Sequence, residues 1–183
     1  MIKIPPLKKG DKIGIVAPAS PPDIEKLEKG IKVLKDWGFE IEEAPHLKKI
    51  RGYLAGSDQE RISDLHTFFR DKSIDVIWSA CGGYGTPRLL QMLDYDLIKK
   101  NPKPFIGYSD ITALHLAFNR YSNLITFHGP MIATELGDSP DKITRKSIKK
   151  ILFEDYKIDI LKEFNLDELE IINSGIAEGE ITG

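Results

Sequence analysis

Short, continuously apolar runs alternate with amphipathic stretches along most of the 183 residues, and no other feature constrains the fold as strongly. "KIGIVAPAS" (12–20) starts as a buried strand and breaks at Pro18. In the next stretch Ile24, Leu27, Ile31, Leu34 and Trp37 recur on one helical face, with prolines before it and Gly38 just after. "FEIEE" (39–43) alternates like a second strand. "SDQERISDLHTFFRD" (57–71) opens with a Ser57/Glu60 capping box and carries Ile62, Leu65, Phe68 and Phe69 on an apolar face. "IDVIWSA" (74–80) and Pro104-Phe105-Ile106 are further buried runs, and "LITF" (124–127) reads as another strand. A helix-like "PRLLQML" follows Thr86, a helix follows Ser109, and "DKITRKSIKKILF" (141–153) reads as the last helix. Strands that are apolar throughout belong in a parallel sheet covered on both sides. The expected fold is α/β: an open, mostly parallel sheet with helices on both faces, of Rossmann-like or flavodoxin-like layering, over residues 1–155. From 156 to 183 the helical period weakens and strand-like pieces appear at Lys157–Leu161, Glu170–Ile172 and Ile176–Ile181. That change is expected to mark a linker and the beginning of a β-rich second domain.

Composition limits the function. A net charge of −2 gives no electrostatic footprint for nucleic acid or for an anionic membrane. The lysine pairs 48–49, 99–100 and 149–150 sit beside carboxylates or on helix faces and read as solvated surface. With Cys81 as the one cysteine, no internal disulfide and no multi-cysteine metal site can form. "MIKIPPLKKGDK" lacks the apolar core of a signal peptide, and no run of about 18 apolar residues exists. The expectation is a cytoplasmic protein without a membrane partner.

In an open parallel sheet the site lies at the carboxyl ends of the strands. Three unusual loops fall there: "APASPP" after the first strand, "CGGYG" (81–85) after the third, and "GYSD" (107–110) after Phe105-Ile106. The glycines of "CGGYG" let backbone approach a ligand, which suits an anion or oxyanion cradle, and equally a plain strand-to-helix turn. The spacing is that of neither a P-loop nor a dinucleotide fingerprint. Ser109 in "GYSD" could stand on a strained strand-to-helix turn as a nucleophile. Ser109 or Asp110 could equally be a helix cap, and Ile111 stands where the elbow pattern has its second glycine. A serine nucleophile needs a base. His115, six residues into the same helix, is about 9 Å along the axis and on another face. His66 sits mid-helix and His46 in a loop; His128 alone falls near the carboxyl edge, where it also suits shaping the turn before Gly129-Pro130. The residues therefore supply a nucleophile candidate and an oxyanion candidate, but no convincing base.

"GDKIGIVAPAS", "YLAGSDQERISDL", "CGGYGTPRLLQMLDYDLI", "KPFIGYSDITALHLA" and "TFHGPM" occur together and in this order. In these five blocks the chain resembles the N-terminal domain of the LD-carboxypeptidases, a family of serine peptidases that includes muramoyltetrapeptide carboxypeptidase and the microcin C immunity hydrolases. The resemblance implies a cytoplasmic, homodimeric hydrolase that removes the terminal D-alanine from murein tetrapeptides in cell-wall recycling. It implies Ser109 as nucleophile, the backbone N–H groups of Gly83 and Asp110 as oxyanion hole, and Ser20, Gly82, Tyr84 and His128 around a small peptide substrate. It implies no metal and no organic cofactor. The family's triad is Ser-His-Glu, with the Glu and His in a C-terminal domain, so residues 1–183 alone are expected to be inactive. Cys81 stands where the family commonly has arginine, and Ala19 where a second serine is frequent. The competing expectations are a peptide-nucleotide hydrolase of the microcin C type and a non-catalytic α/β ligand-binding module.

Overall fold

A computed structural model describes residues 6–153 and 175–176. Five strands, β1 (Lys12–Val16), β2 (Glu40–Glu43), β3 (Val76–Ser79), β4 (Phe105–Gly107) and β5 (Phe127–His128), form one sheet in the order β2-β1-β3-β4-β5. Every pairing is parallel. Central β3, Val-Ile-Trp-Ser, is buried at all four positions, as a strand covered on both faces must be. Edge strand β2 is mostly exposed and carries Glu40, Glu42 and Glu43, charges that discourage pairing with another sheet.

The helices form where the apolar period and the caps coincide. In α1 (Ile24–Asp36), Leu27, Ile31 and Leu34 are buried and Asp23 caps the first turn by accepting from Lys26 N–H. In α2 (Asp58–Arg70) the Ser57/Glu60 capping box is complete. α3 (Tyr95–Lys100) is capped by Asp94, and α4 (Thr112–Ser122) ends at Asn123 in the left-handed region. α5 is Lys142–Phe153. α1 packs on a wide turn at Ile132–Leu136, while α2, α3 and α4 pack on one another in succession. Phe69, Phe105 and Phe118 interlock in the core, with ring centroids 5.0–6.4 Å apart. Burial of this kind contributes roughly 25 cal/mol per Å² of apolar surface removed from water.

Two stretches differ from the sequence expectation. "PRLLQML" forms only a short 3-10 turn, Thr86–Leu89, which follows Gly85 at φ 125° and has its Thr86 N–H donated to Asp110. The last strand is regular only at Phe127–His128, where it pairs with β4 on the sheet edge. The domain boundary at 155/156 and the strand-like pieces beyond it lie outside the described residues, except Gly175 and Ile176, which have no regular structure.

Candidate active site

The order β2-β1-β3-β4-β5 reverses direction between β1 and β3, so the loops leaving those strands diverge and open a crevice at their carboxyl ends. The first two of the three unusual loops border that crevice, and the "GYSD" loop leaves neighbouring β4. The structure brings all three together.

β4 ends at Gly107, Tyr108 is extended, and Ser109 has φ 64°, a left-handed conformation unusual for a residue with a side chain. A 3-10 turn, Ser109–Ile111, then runs into α4. Neither Ser109 nor Asp110 caps the helix: the turn and α4 have no side-chain cap. Asp110 is directed elsewhere. Its carboxylate accepts from Thr86 N–H at 2.8 Å, and its backbone carbonyl accepts from the Thr86 hydroxyl. Ser109 Oγ makes no hydrogen bond among the described residues.

The "CGGYG" loop lies against this turn. A Cβ built on Gly82 would stand 3.1 Å from Ser109 Cβ and 3.3 Å from Ser109 Oγ. Gly83 has φ 111°, and a Cβ there would stand 2.2 Å from Ser20 Oγ. Only glycine combines that conformation with that approach. Among the described residues the Gly83 N–H has no acceptor. Ser20 fastens the first loop to the second: its N–H donates to Gly82 O (3.1 Å), its hydroxyl accepts from Tyr84 N–H (3.2 Å), and its carbonyl accepts from Cys81 Sγ (3.1 Å). Burial pushes the Cys81 thiol up to about 11, so at neutral pH it is not the thiolate a nucleophile requires. The Tyr84 ring is exposed and meets Tyr53 edge-on at 5.5 Å.

The histidines are placed as follows. His115 is buried in α4 and its Nε2–H donates to Gly107 O at 2.8 Å. Among the described residues its Nδ1 has no partner, and burial holds the ring below the usual histidine range. His46, for which the sequence offered no partner, pairs through Nδ1 with buried Asp64 at 2.8 Å. His66 Nε2 accepts from Asp94 N–H. His128 is exposed, with its ring 5.8 Å from that of Tyr108, and it lines a cavity of about 420 Å³ between β5 and α5. None is hydrogen-bonded to Ser109 among the described residues.

Sequence reasoning missed two supports of the site. Glu135 receives hydrogen bonds from Tyr108 Oη (2.6 Å), Thr134 Oγ1 (2.6 Å) and Met131 N–H (3.0 Å), fixing the residue before Ser109. Burial raises the Glu135 carboxyl, but those bonds outweigh it and leave it below the ordinary range, while the same Glu135 bond pushes Tyr108 up to about 12. The other support, Arg61, is 1% exposed and reaches both loops. Its signal was present: Arg61, Leu65 and Phe68 share one helical face at i, i+4 and i+7, so a charge stands on an apolar stripe.

A family model described as the LD-carboxypeptidase N-terminal domain matches residues 13–129, from β1 through β5 and all three loops. The chain belongs to the LD-carboxypeptidase family. It is 44% identical over 178 residues to a probable murein peptide carboxypeptidase of Bacillus subtilis, covering 97% of this chain and 55% of that protein. It is 35% identical over 152 residues to the microcin C7 self-immunity protein MccF of Escherichia coli, covering 80% of this chain and 44% of that protein. A solved structure of MccF in complex with aspartyl sulfamoyl adenosine superposes with a TM-score of 0.82 at 33% identity, over 86% of this chain and 48% of that one. The chain thus spans about half the length of the relatives it matches. Among the described residues no three His, Cys, Asp or Glu side chains group as a metal site, and no helix is long and apolar enough to cross a membrane.

Proposed function

We propose that this LD-carboxypeptidase family chain is the nucleophile-bearing part of a serine hydrolase that removes the terminal D-alanine from murein tetrapeptides. The observation that carries this reading is Ser109 in the left-handed region at the end of β4, facing Gly82, with the 82–86 backbone tied to the same turn through Asp110. In the proposed reaction Ser109 Oγ bonds to the scissile carbonyl carbon and its proton passes to a base. The N–H groups of Gly83 and Asp110 hold the oxyanion. On collapse the C–N bond breaks, the amine of D-alanine leaves with the proton from that base, and water then hydrolyses the acyl-enzyme. Loss of one oxyanion donor of this type costs about 10²–10³ in rate. Ser20, Gly82, Tyr84 and His128 border the peptide. No metal or organic cofactor enters these steps.

The base is not assigned to His46, His66 or His115, each engaged elsewhere, nor to His128, which stands on Tyr108. We assign it, and the glutamate that orients it, to the C-terminal domain that the resemblance implies, with residues 156–183 as the way into it. Two expectations follow. Full-length protein releases D-alanine from murein tetrapeptide and the Ser109→Ala variant does not; undiminished release by the variant would sink the proposal. Residues 1–183 alone give no turnover, and repeated turnover by them would show that the base lies within these residues.

A second substrate class has its own support in the likeness to MccF with aspartyl sulfamoyl adenosine bound. Parallel assays with murein tetrapeptide and an aminoacyl sulfamoyl adenosine separate the two. A ligand-binding module without catalysis would give no Ser109 adduct with a serine-directed phosphonate. A cytoplasmic homodimer is the expected form of the full-length protein, and a monomer by light scattering would contradict it.

A further inference from the structure

We propose that Arg61, a residue of α2 that touches no substrate, is the positioning residue of the oxyanion loop; this rests on the reading of Gly83 as an oxyanion donor. The guanidinium is buried and reaches three acceptors, one in each of two loops and one in the first turn of its own helix. Nη1 donates to Pro18 O in the first loop (2.5 Å) and to Gly85 O in the second (3.1 Å), and Nη2 donates to Asp58 Oδ1 (2.5 Å). The contact with the second loop is close: a Cβ on Gly85 would stand 2.8 Å from Nη1. Asp58 also binds Arg88 through two short contacts, at 2.8 Å and 3.0 Å, just beyond the loop. The first turn of α2 therefore holds the 82–88 segment at both Gly85 and Arg88.

The opposite side of that segment faces the nucleophile. Gly82 stands against Ser109, and Thr86 is bound by Asp110. The peptide units of Gly83 and Tyr84 hang between these two supports, with Ser20 bracing Tyr84 N–H. Which way the Gly83 N–H points depends on where Gly85 O is held, and Arg61 holds it. Pro18 O has no other donor among the described residues, so losing the guanidinium removes one tie of the first loop, which Ala55 N–H on Ala19 O and the Ser20 bonds still hold. Lysine cannot replace the planar fork, since one ammonium cannot span three divergent acceptors in the same geometry. Gly85 O keeps a long bond from Arg88 N–H (3.3 Å), so the loop is expected to loosen rather than unfold.

The test compares wild type, Arg61→Lys and Arg61→Met in the full-length protein, with Ser109→Ala as control. It reads D-alanine release from murein tetrapeptide and deuterium uptake by the peptide covering residues 80–90. A displaced oxyanion donor predicts a kcat lower by about 10–100-fold in Arg61→Lys. KM is expected to change less than kcat, because the Gly83 N–H meets the oxyanion only in the transition state, whereas Ser20 and Tyr84 of the same loops border the ground-state peptide. Uptake in 80–90 rises while uptake around Phe69, Phe105 and Phe118 is unchanged. Wild-type kcat together with unchanged uptake in 80–90 would overturn the proposal. So would a fall in kcat accompanied by equal loosening of the core, which would make Arg61 a general stability residue. If Arg61→Met does not fold, Arg61→Lys decides alone. If wild type neither releases D-alanine nor labels at Ser109, the functional reading fails, and the uptake of 80–90 still shows whether Arg61 braces the loop.

Discussion

Ser109 at φ 64° is a serine where glycine would be more comfortable, and its cost is about 1–2 kcal/mol. Ser109→Gly should therefore raise unfolding stability in urea by up to about 1 kcal/mol, while removing the hydroxyl that the proposed hydrolysis requires. A variant less stable than wild type would show that the conformation is not strained. Gly83 tests the same corner from the other loop. Gly83→Ala puts a methyl 2.2 Å from Ser20 Oγ and 2.5 Å from Ser20 Cβ, at a φ that disfavours any side chain. Stability should drop by about 2–3 kcal/mol, and Ser20→Gly should restore part of it, leaving the backbone strain. Strictly additive effects in that double-mutant cycle would mean the two residues do not touch. The position of Ser109, just after a buried run and before a helix, was legible in the sequence. Its conformation was not, because serine and aspartate both cap helices well, and the contact that redirects Asp110 comes from Thr86, 24 residues away.

At the scale of elements, α1 and the Ile132–Leu136 turn meet through Gly30, where a Cβ would stand 2.0 Å from Ile132 O. Alanine in a helix interior normally gains about 1 kcal/mol over glycine. Here Gly30→Ala should instead destabilise by about 2 kcal/mol or more, because the neighbour is backbone and cannot move aside cheaply. Urea melts decide the sign. α4 gives a pH prediction. Burial lowers the proton affinity of His115, so the unfolded chain takes up its proton at a higher pH than the folded one. The stability it contributes is complete above about pH 6.5 and falls as pH drops below that value. His66, also depressed by burial, acts in the same direction. His115→Phe should flatten the decline between pH 7 and 5 by at most one proton, about 1.4 kcal/mol per pH unit. An unchanged slope would show that His115 protonates freely in the fold. Helices α1 and α2 were readable because period and caps agree. "PRLLQML" was misread because its apolar spacing imitates a helix, while the chain makes only one 3-10 turn there, Thr86–Leu89.

For the whole molecule, alternating apolar and amphipathic runs reveal a parallel α/β sheet, but periodicity carries no record of which strand lies beside which. The order β2-β1-β3-β4-β5 fixes the crevice at β1 and β3, and only the folded sheet shows that Ser20 and the "CGGYG" loop meet there. The partners of Arg61 were hidden for a related reason: Pro18 and Gly85 lie 43 and 24 residues away and offer carbonyls that every residue has. These separations bear on how the chain reaches its native state. The tie between Ser20 and Tyr84 closes a span of 64 residues, and that between Thr86 and Asp110 closes another of 24. Each closure costs entropy before its bonds form, and the loops can meet only once the strands they leave are paired, as at Ile15 with Trp78, so the corner around Ser109 belongs to the last contacts made. In a refolding experiment, burial of Trp78 in β3 should precede the acquisition of phosphonate reactivity at Ser109 in full-length protein. A partly folded chain would then carry the serine but not its strained geometry, so nascent protein would be spared a prematurely reactive side chain.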